Sequence, residues 1–185
     1  MAINNLLKGS KVNLESIKKQ DSSSIERWFN DIGFLRNYDV VPAFPKTQGD
    51  VEEMLLEYKN SNESYIFSIR ENETDQIIGL CGFENILWNN QNAVLYIGIG
   101  EEDSRGKGYG KEAIKLLIQF GFEELNFHRI QLNVLEYNKK AINLYEKIGF
   151  KKEGVYREYI YRSGKRYDMY LYGFLREEYN NKNEL

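Results

Sequence analysis

The stretch that decides the fold runs from Ala93 to Asn138, and its centre reads Arg105-Gly106-Lys107-Gly108-Tyr109-Gly110. An apolar run at residues 94–99, rich in β-branched and aromatic side chains, comes before this glycine-rich centre. Residues 109–125 follow it and carry apolar side chains at helical spacing. The pattern predicts a strand, a loop and a helix in that order.

The loop between this strand and this helix has the features of a phosphate-binding site. Glycines let an anion approach the main chain, and the start of a helix offers unpaired N–H groups and the positive end of the helix dipole. Arg105 and Lys107 add full charges. Two common phosphate loops do not match: Lys111 is followed by Glu112 rather than by the hydroxyl residue of a Walker loop, and the glycine spacing differs from the dinucleotide fingerprint.

The spacing of Arg105, Gly108 and Gly110 resembles the pyrophosphate loop, Arg/Gln-x-x-Gly-x-Gly/Ala, of the Gcn5-related N-acetyltransferase (GNAT) family. A second block at residues 138–150, Asn-Lys-Lys-Ala-Ile-Asn-Leu-Tyr-Glu-Lys-Ile-Gly-Phe, is similar to another signature of that family. The sequence Arg-Trp-Phe-Asn-Asp at residues 27–31 resembles the first helix of the subgroup that acetylates ribosomal-protein N-termini. The resemblance covers nearly the whole chain.

The resemblance implies an α+β (mixed α/β) fold, with a mostly antiparallel twisted sheet of about seven strands and about four helices. A parallel strand–helix–strand crossover would hold the glycine-rich loop. We expect one acetyltransferase domain over residues 1–185, with a core at about 10–178 and a polar tail at 179–185. The patterns place strands near residues 12–17, 65–69, 77–83, 93–100, 128–134, 151–162 and 166–175.

Helices are predicted at residues 22–29, 50–59 and 109–125, and from Asn138 to Gly149. Asp50 and Glu53 have the spacing of a capping box for the second of these helices. Pro42 and Pro45 argue against a continuous helix through residues 32–47.

The composition limits the classes of function. The chain has 185 residues and a formal net charge of −3, which argues against a nucleic-acid binder and slightly favours a cationic substrate. Cys81 is the single cysteine and no charged-then-apolar leader opens the chain, so we expect a cytoplasmic protein without a disulfide. No apolar run reaches the ~18 residues of a membrane span. The single histidine, His128, excludes a multi-histidine metal site.

The resemblance further implies acetyl-coenzyme A (acetyl-CoA) as co-substrate and no metal. It assigns the pyrophosphate to the main chain of residues 105–110 and the pantetheine arm to the edges of Ile97, Gly98 and Ile99, because the two parallel strands of this fold splay apart. Asn133 and Asn138 are two further expected cofactor contacts. Asn133 also suits a solvent-linked positioning role, and Asn138 suits a helix N-cap.

The family transfers the acetyl group to an amine by direct attack in a ternary complex. Tyr145 matches the position of a tyrosine general acid that protonates the leaving thiolate, and the alternative is a core tyrosine on the apolar face of its helix. A backbone N–H group near residues 97–99 would stabilise the oxyanion. The resemblance therefore predicts Tyr145 as a catalytic residue.

The general base departs from the family pattern, since Val94 and Leu95 stand where many relatives carry a glutamate. Glu84 is the best single substitute, with Glu136 and the positioning group Asp39 as other options. The alternatives are that Glu84 is a solvated surface carboxylate and that water alone takes the proton.

The acceptor is the least defined part of the site. The loop between the first two helices of this fold usually forms the floor of the acceptor site. Its candidate substrate contacts are Phe34, Tyr38 and Asp39, and ordinary packing is the alternative. The amine can be a protein N-terminal α-amine or a small molecule such as a polyamine or an aminoglycoside. A non-catalytic acyl-CoA sensor is a rival interpretation, and the tyrosine-rich C-terminal strands leave core packing, a substrate groove and a homodimer open.

Overall fold

The computed structural model describes residues 5–183, and a seven-stranded sheet forms its centre. The strands are β1 (Val12–Glu15), β2 (Tyr65–Glu71), β3 (Ile77–Leu87), β4 (Asn92–Ile99), β5 (Arg129–Leu135), β6 (Lys151–Arg162) and β7 (Lys165–Leu175). Their order is β1-β2-β3-β4-β5-β7-β6, and only β4 and β5 are parallel. The predicted sheet is confirmed.

The described residues form six α-helices, two more than the patterns indicate. They are α1 (Ser22–Phe29), α2 (Ile32–Tyr38), α3 (Gln48–Asn60), α4 (Tyr109–Glu123), α5 (Lys139–Ile148) and α6 (Arg176–Asn183). The additional helix α2 ends before Pro42, and the Asp31 carboxylate caps it by accepting the Gly33 N–H at 2.7 Å. The prolines therefore do not oppose this short helix.

The predicted polar tail differs from the observed C-terminus. Residues 179–183 belong to α6, while residues 184–185, like residues 1–4 of the predicted domain, lie outside the described residues. The Tyr179 ring packs on Phe122 with centroids 5.1 Å apart, and its hydroxyl donates to Glu123 at 2.6 Å. A ring contact and a hydrogen bond therefore attach to α4 the start of the segment that the composition predicts as a polar tail.

The start of α3 also differs from its prediction. Thr47, rather than Asp50, is the N-cap, and Asp50 is the third helical residue of the capping box. The Asp50 N–H donates to the Thr47 hydroxyl at 3.3 Å, and the Asp50 carboxylate accepts the Thr47 N–H at 2.7 Å. The same box pattern therefore begins three residues earlier than we predicted.

Two apolar clusters cover the two faces of the sheet. The larger one packs α4 and α5 against the sheet and includes Leu117, Ile130 and Tyr145. The smaller one packs α1, α2 and α3 against the opposite face and includes Trp28 and Phe34. The strand that ends at the glycine-rich loop, β4, therefore lies between a helix layer that carries the loop and a second layer that carries the predicted acceptor residues.

Candidate active site

The parallel strands β4 and β5 separate in the middle of the sheet. Their pairing covers Asn92–Arg129, Ala93–Ile130 and Val94–Gln131 and then stops. Both strands continue, since β4 runs to Ile99 and β5 runs to Leu135 along β7. A gap with unpaired strand edges therefore opens beyond Val94.

The alternation of the backbone shows which groups face this gap. The Gly100 N–H donates to the Ile78 carbonyl at 2.9 Å, so Gly98 and the other even-numbered residues of β4 direct their polar groups to β3. Ile97 and Ile99 consequently face β5. Asn133 faces the gap from β5 by the same alternation, because the Arg129 N–H donates to Gln91 on the β4 side. The main chains of Ile97 and Asn133 thus offer hydrogen bonds to a ligand.

Gly98 contributes its missing side chain rather than its polar groups. A Cβ atom there would lie 2.6 Å from the Tyr38 ring and 2.9 Å from the Phe34 ring. These two rings stack with centroids 5.1 Å apart, and Phe34 is buried. Gly98 therefore lets α2 lie directly on β4, and Phe34 acts as packing beneath Tyr38.

The glycine-rich loop has the geometry of an anion cradle. Gly106 and Gly108 have φ values of +80° and +91°, which residues other than glycine rarely adopt. A Cβ atom at Gly106 would contact nothing within 4 Å, and one at Gly108 would contact only the Lys11 side chain. In the part of the chain that the structure describes, the backbone N–H groups from Gly106 to Lys111 find no acceptor. These donors at the start of α4 fit a pyrophosphate group.

Arg105 supports the loop instead of extending into the cradle. Its guanidinium donates to the carbonyls of Ile99 at 3.0 Å and Gly100 at 2.9 Å, and it lies 3.9 Å from the Asp31 carboxylate. Its own N–H donates to Glu102. The backbone N–H of Arg105, a predicted donor to the pyrophosphate, therefore already has an acceptor. The Arg105 side chain joins the end of β4 to the loop.

The remaining loop residues are divided between the cradle and its surroundings. The Lys107 side chain is exposed, and Gly110 lies in the first turn of α4. The Tyr109 hydroxyl donates to the Glu71 carboxylate, and this hydrogen bond lowers the pKa of Glu71. The Tyr109 ring therefore anchors the loop to β2, and only its main chain is offered to a ligand.

Helix α5 begins where β5 leaves the gap. The Asn138 side chain accepts the Ala141 N–H at 3.2 Å, which confirms the predicted N-cap. Tyr145 is buried among apolar residues, and burial raises the pKa of its hydroxyl to about 12. Among the described residues its hydroxyl has no hydrogen-bond partner, and Ile97 and Ile99 pack against the same apolar cluster. Tyr145 therefore stays protonated at neutral pH with a free donor.

Glu84 and Asp39 form an acidic site on the opposite face of β4. Glu84 on β3 is half-buried, and its pKa is raised first by burial and then by the nearby Asp39 carboxylate. Tyr38, Tyr58 and Tyr96 lie near Glu84, and the pKa of each of these tyrosines is raised mainly by burial. Neither carboxylate forms an ion pair within residues 5–183. In this range the two carboxylates are therefore not paired with a cation, and the Arg162 guanidinium contacts the main-chain carbonyl of Asp39 rather than its carboxylate.

Arg162 at the end of β6 supports this acidic site, and no local sequence pattern indicates its role. Its guanidinium donates to the carbonyl of Asp39 at 2.8 Å, to the hydroxyl of Tyr137 at 2.6 Å and to the carbonyl of Arg36. The Tyr137 hydroxyl also donates to the Arg36 carbonyl. A cation at the C-terminus of α2 is favourable, and these bonds tie α2 to the β6–β7 hairpin.

Cys81 and His128 do not lie on the two strand edges that face the gap. Cys81 is fully buried, and burial raises the pKa of its thiol, as expected for an inert cysteine. His128 is exposed at the entrance of β5.

The described residues contain no group of His, Cys, Asp and Glu side chains suited to a metal ion. Between residues 5 and 183, none of the helices is long and apolar enough to span a membrane.

Comparisons with known proteins agree with this geometry. A family model described as an acetyltransferase (GNAT) domain matches residues 14–171. The Bacillus licheniformis protein named uncharacterized N-acetyltransferase p20 is 30% identical over 170 residues, which cover 91% of this chain and 95% of that protein. Spermidine N(1)-acetyltransferase of Vibrio cholerae is 27% identical over 175 residues, which cover 95% of this chain and 99% of that protein. The ribosomal protein uS5-alanine N-acetyltransferase of Escherichia coli is 29% identical over 113 residues, which cover 60% of this chain and 57% of that protein.

Solved structures extend the match to the whole fold. A structure of V. cholerae spermidine N-acetyltransferase in complex with CoA and spermine has a TM-score of 0.85 and 25% identity, with coverage of 94% of this chain and 100% of that chain. Another structure of that enzyme, with a TM-score of 0.78 and 25% identity, covers 94% of this chain and 99% of that chain and is described as dodecameric. The chain therefore belongs to the GNAT family, and it is an acetyl-CoA-dependent N-acetyltransferase that acts on an amine.

Proposed function

We propose that this enzyme acetylates a small polycationic amine of the spermidine type. The observation that carries the proposal is the pair of carboxylates, Asp39 and Glu84, which lie close together and form no ion pair among the described residues. Two such groups on the acceptor face attract an amine with more than one positive charge. The near full-length similarity to a spermidine acetyltransferase supports the same class.

Several residues have roles toward acetyl-CoA in this proposal. The co-substrate supplies an activated acetyl group on a thiol that leaves. The free N–H groups of residues 106–111 bind the pyrophosphate, and the edges of Ile97 and Asn133 pair with the amides of the pantetheine arm. The Ile97 N–H is the candidate donor to the oxyanion, and the Tyr145 hydroxyl donates the proton to the thiolate.

Cation binding is the role of Glu84 in this proposal. Glu84 pairs with Val94, three residues before Ile97 on β4. Strands rise about 3.3 Å per residue, so the two levels are about 10 Å apart, which is too far for direct proton transfer. A glutamate at the level of Val94, where many relatives carry their base, acts through water. We assign Glu84 to the distal ammonium of an extended amine, with Asp39 binding the same charge, and the pH profile separates this role from that of a base.

The first test is an acceptor panel. We expect spermidine to be acetylated with a kcat/KM at least about tenfold above that of a peptide with an N-terminal alanine, because only the polyamine brings a second charge to the carboxylates. Glu84→Gln should raise the KM for spermidine about tenfold and leave the KM for a monoamine unchanged. The control Glu53→Gln removes an exposed carboxylate from α3 and should change neither value. A preference for the peptide, or an equal effect of Glu84→Gln on the monoamine, would contradict the proposal.

The second test separates binding from base catalysis by pH. Only the neutral amine attacks, so kcat/KM should rise about tenfold per pH unit below the amine pKa of about 10.4. With water as the proton acceptor, Glu84→Gln should lower kcat/KM by the same factor at every pH between 6.5 and 9. If Glu84 were the base, the variant should lose activity near pH 7 and recover toward the amine pKa. Parallel profiles support the binding role, and converging profiles exclude it.

A protein N-terminus is the second candidate acceptor. Val40, Val41 and Phe44 are exposed in the loop after α2, and Phe44 is 76% exposed. Such apolar side chains beside the acidic site suit the first residues of a peptide. The acceptor panel distinguishes the two classes directly.

We also propose a cytoplasmic location and a homo-oligomeric state. The lone reduced cysteine supports the location. The oligomer is supported by the dodecamer described for the V. cholerae enzyme and by the exposed tyrosines Tyr156, Tyr159 and Tyr161 on the edge strand β6. Light scattering of the purified protein measures this state.

A further inference from the structure

We propose that Lys11, in the segment before β1, is a ligand of the phosphate groups of CoA, and that Glu112 positions it. The inference rests on the donor site and does not depend on which amine is the acceptor. It adds a residue that lies far from the glycine-rich loop in sequence to the cradle that the loop forms.

Glu112, in the first turn of α4, fixes the segment that carries Lys11. Its carboxylate accepts the N–H groups of Ser10 at 3.1 Å, Lys11 at 2.7 Å and Val12 at 2.9 Å, and the Ser10 hydroxyl at 2.7 Å. Partial burial alone would raise the pKa of Glu112, but these hydrogen bonds lower it. An ionised carboxylate therefore holds the main chain of residues 10–12 against the start of the helix.

This attachment places the Lys11 ammonium at the mouth of the cradle. The Lys11 Nζ donates to the Lys107 carbonyl at 3.1 Å, and it lies 3.5 Å from the position of a Cβ atom on Gly108. An ammonium has three donors, so two remain for a ligand above Gly108. No carboxylate within residues 5–183 forms an ion pair with Lys11.

The electrostatics of this arrangement call for an anion. Lys11, Lys107 and Lys111 surround the N-terminus of α4, where the helix dipole is positive and a cation is unfavourable. Glu71 attracts Lys107, but its carboxylate also accepts the hydroxyls of Tyr109 and Thr74. The Glu112 carboxylate already accepts three backbone N–H groups and the Ser10 hydroxyl. A bound phosphate group would remove the repulsion and complete the contacts of Lys11.

The experiment measures binding rather than turnover. We expect Lys11→Met, which keeps the apolar stem, to weaken CoA binding about tenfold in calorimetry, a modest loss because the contact is exposed. The melting temperature without CoA should change little, because the variant loses an exposed hydrogen bond to the Lys107 carbonyl and also removes a charge beside Lys107 and Lys111. Lys11→Arg should retain most of the affinity. The matched control Lys115→Met removes an exposed charge from the next turn of α4 and should not change the affinity.

Two further measurements complete the test. Glu112→Gln should weaken CoA binding and also lower the melting temperature, because it releases the segment at residues 10–12. With dephospho-CoA, an equal loss for Lys11→Met assigns Lys11 to the pyrophosphate, and no loss assigns it to the 3′-phosphate. An unchanged CoA affinity for Lys11→Met, or an equal loss for Lys115→Met, would overturn the proposal.

Discussion

Replacing Tyr145 with phenylalanine is expected to lower kcat by about 10²–10⁴ and to leave the melting temperature nearly unchanged. The expectation follows from the surroundings of the hydroxyl. Among the described residues it has no hydrogen-bond partner, so its removal leaves no buried group unsatisfied. The ring keeps its contact with the Phe150 ring, whose centroid lies 5.9 Å away. The only loss would be the proton donor. Steady-state kinetics and thermal unfolding on the same sample check both parts.

The matched control for this variant is Tyr172→Phe. Tyr172 is also a buried tyrosine, at 1% exposure, but its hydroxyl donates to Glu146 at 2.7 Å. The control should therefore lose stability and keep kcat, which is the opposite result. Unchanged turnover in Tyr145→Phe, or a loss of stability equal to that of the control, would return Tyr145 to core packing.

The pH dependence gives a third readout for Tyr145. Burial raises the pKa of its hydroxyl to about 12, so the protonated form is present at all pH values below that value and is lost only above it. If Tyr145 is the acid, kcat should therefore not fall on the alkaline side up to about pH 10. A decline that begins near pH 8 would require another proton donor.

The order of strand, loop and helix around residues 93–138 was predictable because local rules determine it. Gly108 takes a positive φ before the helix, and Asn138 caps α5 as its residue type indicates. The family resemblance predicts Ile97, Gly98 and Ile99 at the strand edge, and in the structure the polar groups of Gly98 face β3 instead. The two strand edges open as the resemblance implies, since the pairing of β4 with β5 ends at Val94.

The remaining features depend on contacts between distant parts of the chain. Arg162 binds the end of α2, and Lys11 binds the carbonyl of Lys107, so no local pattern reveals either role. Glu84 shows the same limit. The sequence places it on β3 but does not give its register, and only the structure shows that it pairs with Val94, three residues before Ile97 on β4.

Replacing Gly108 with valine is expected to abolish the protection that CoA gives against thermal unfolding. A ligand at 100 times its Kd stabilises the native state by about 2.7 kcal/mol. In a chain of this size that amounts to a rise in melting temperature of about 5–10 °C. A side chain at Gly108 would project beside the Lys11 ammonium, into the space above the free N–H groups, and would keep the pyrophosphate away from them.

Backbone strain must be separated from this loss of binding. Gly108 has a φ of +91°, so valine there destabilises the fold whether or not CoA binds. Gly164 in the β6–β7 turn has a φ of +79° and open space around it, which makes Gly164→Val a control with similar strain. Both variants should melt at lower temperatures than the parent, but only Gly164→Val should regain the full shift when CoA is added. If Gly108→Val is protected as strongly as Gly164→Val, the pyrophosphate does not bind at this loop, and the proposed role of Lys11 is excluded with it.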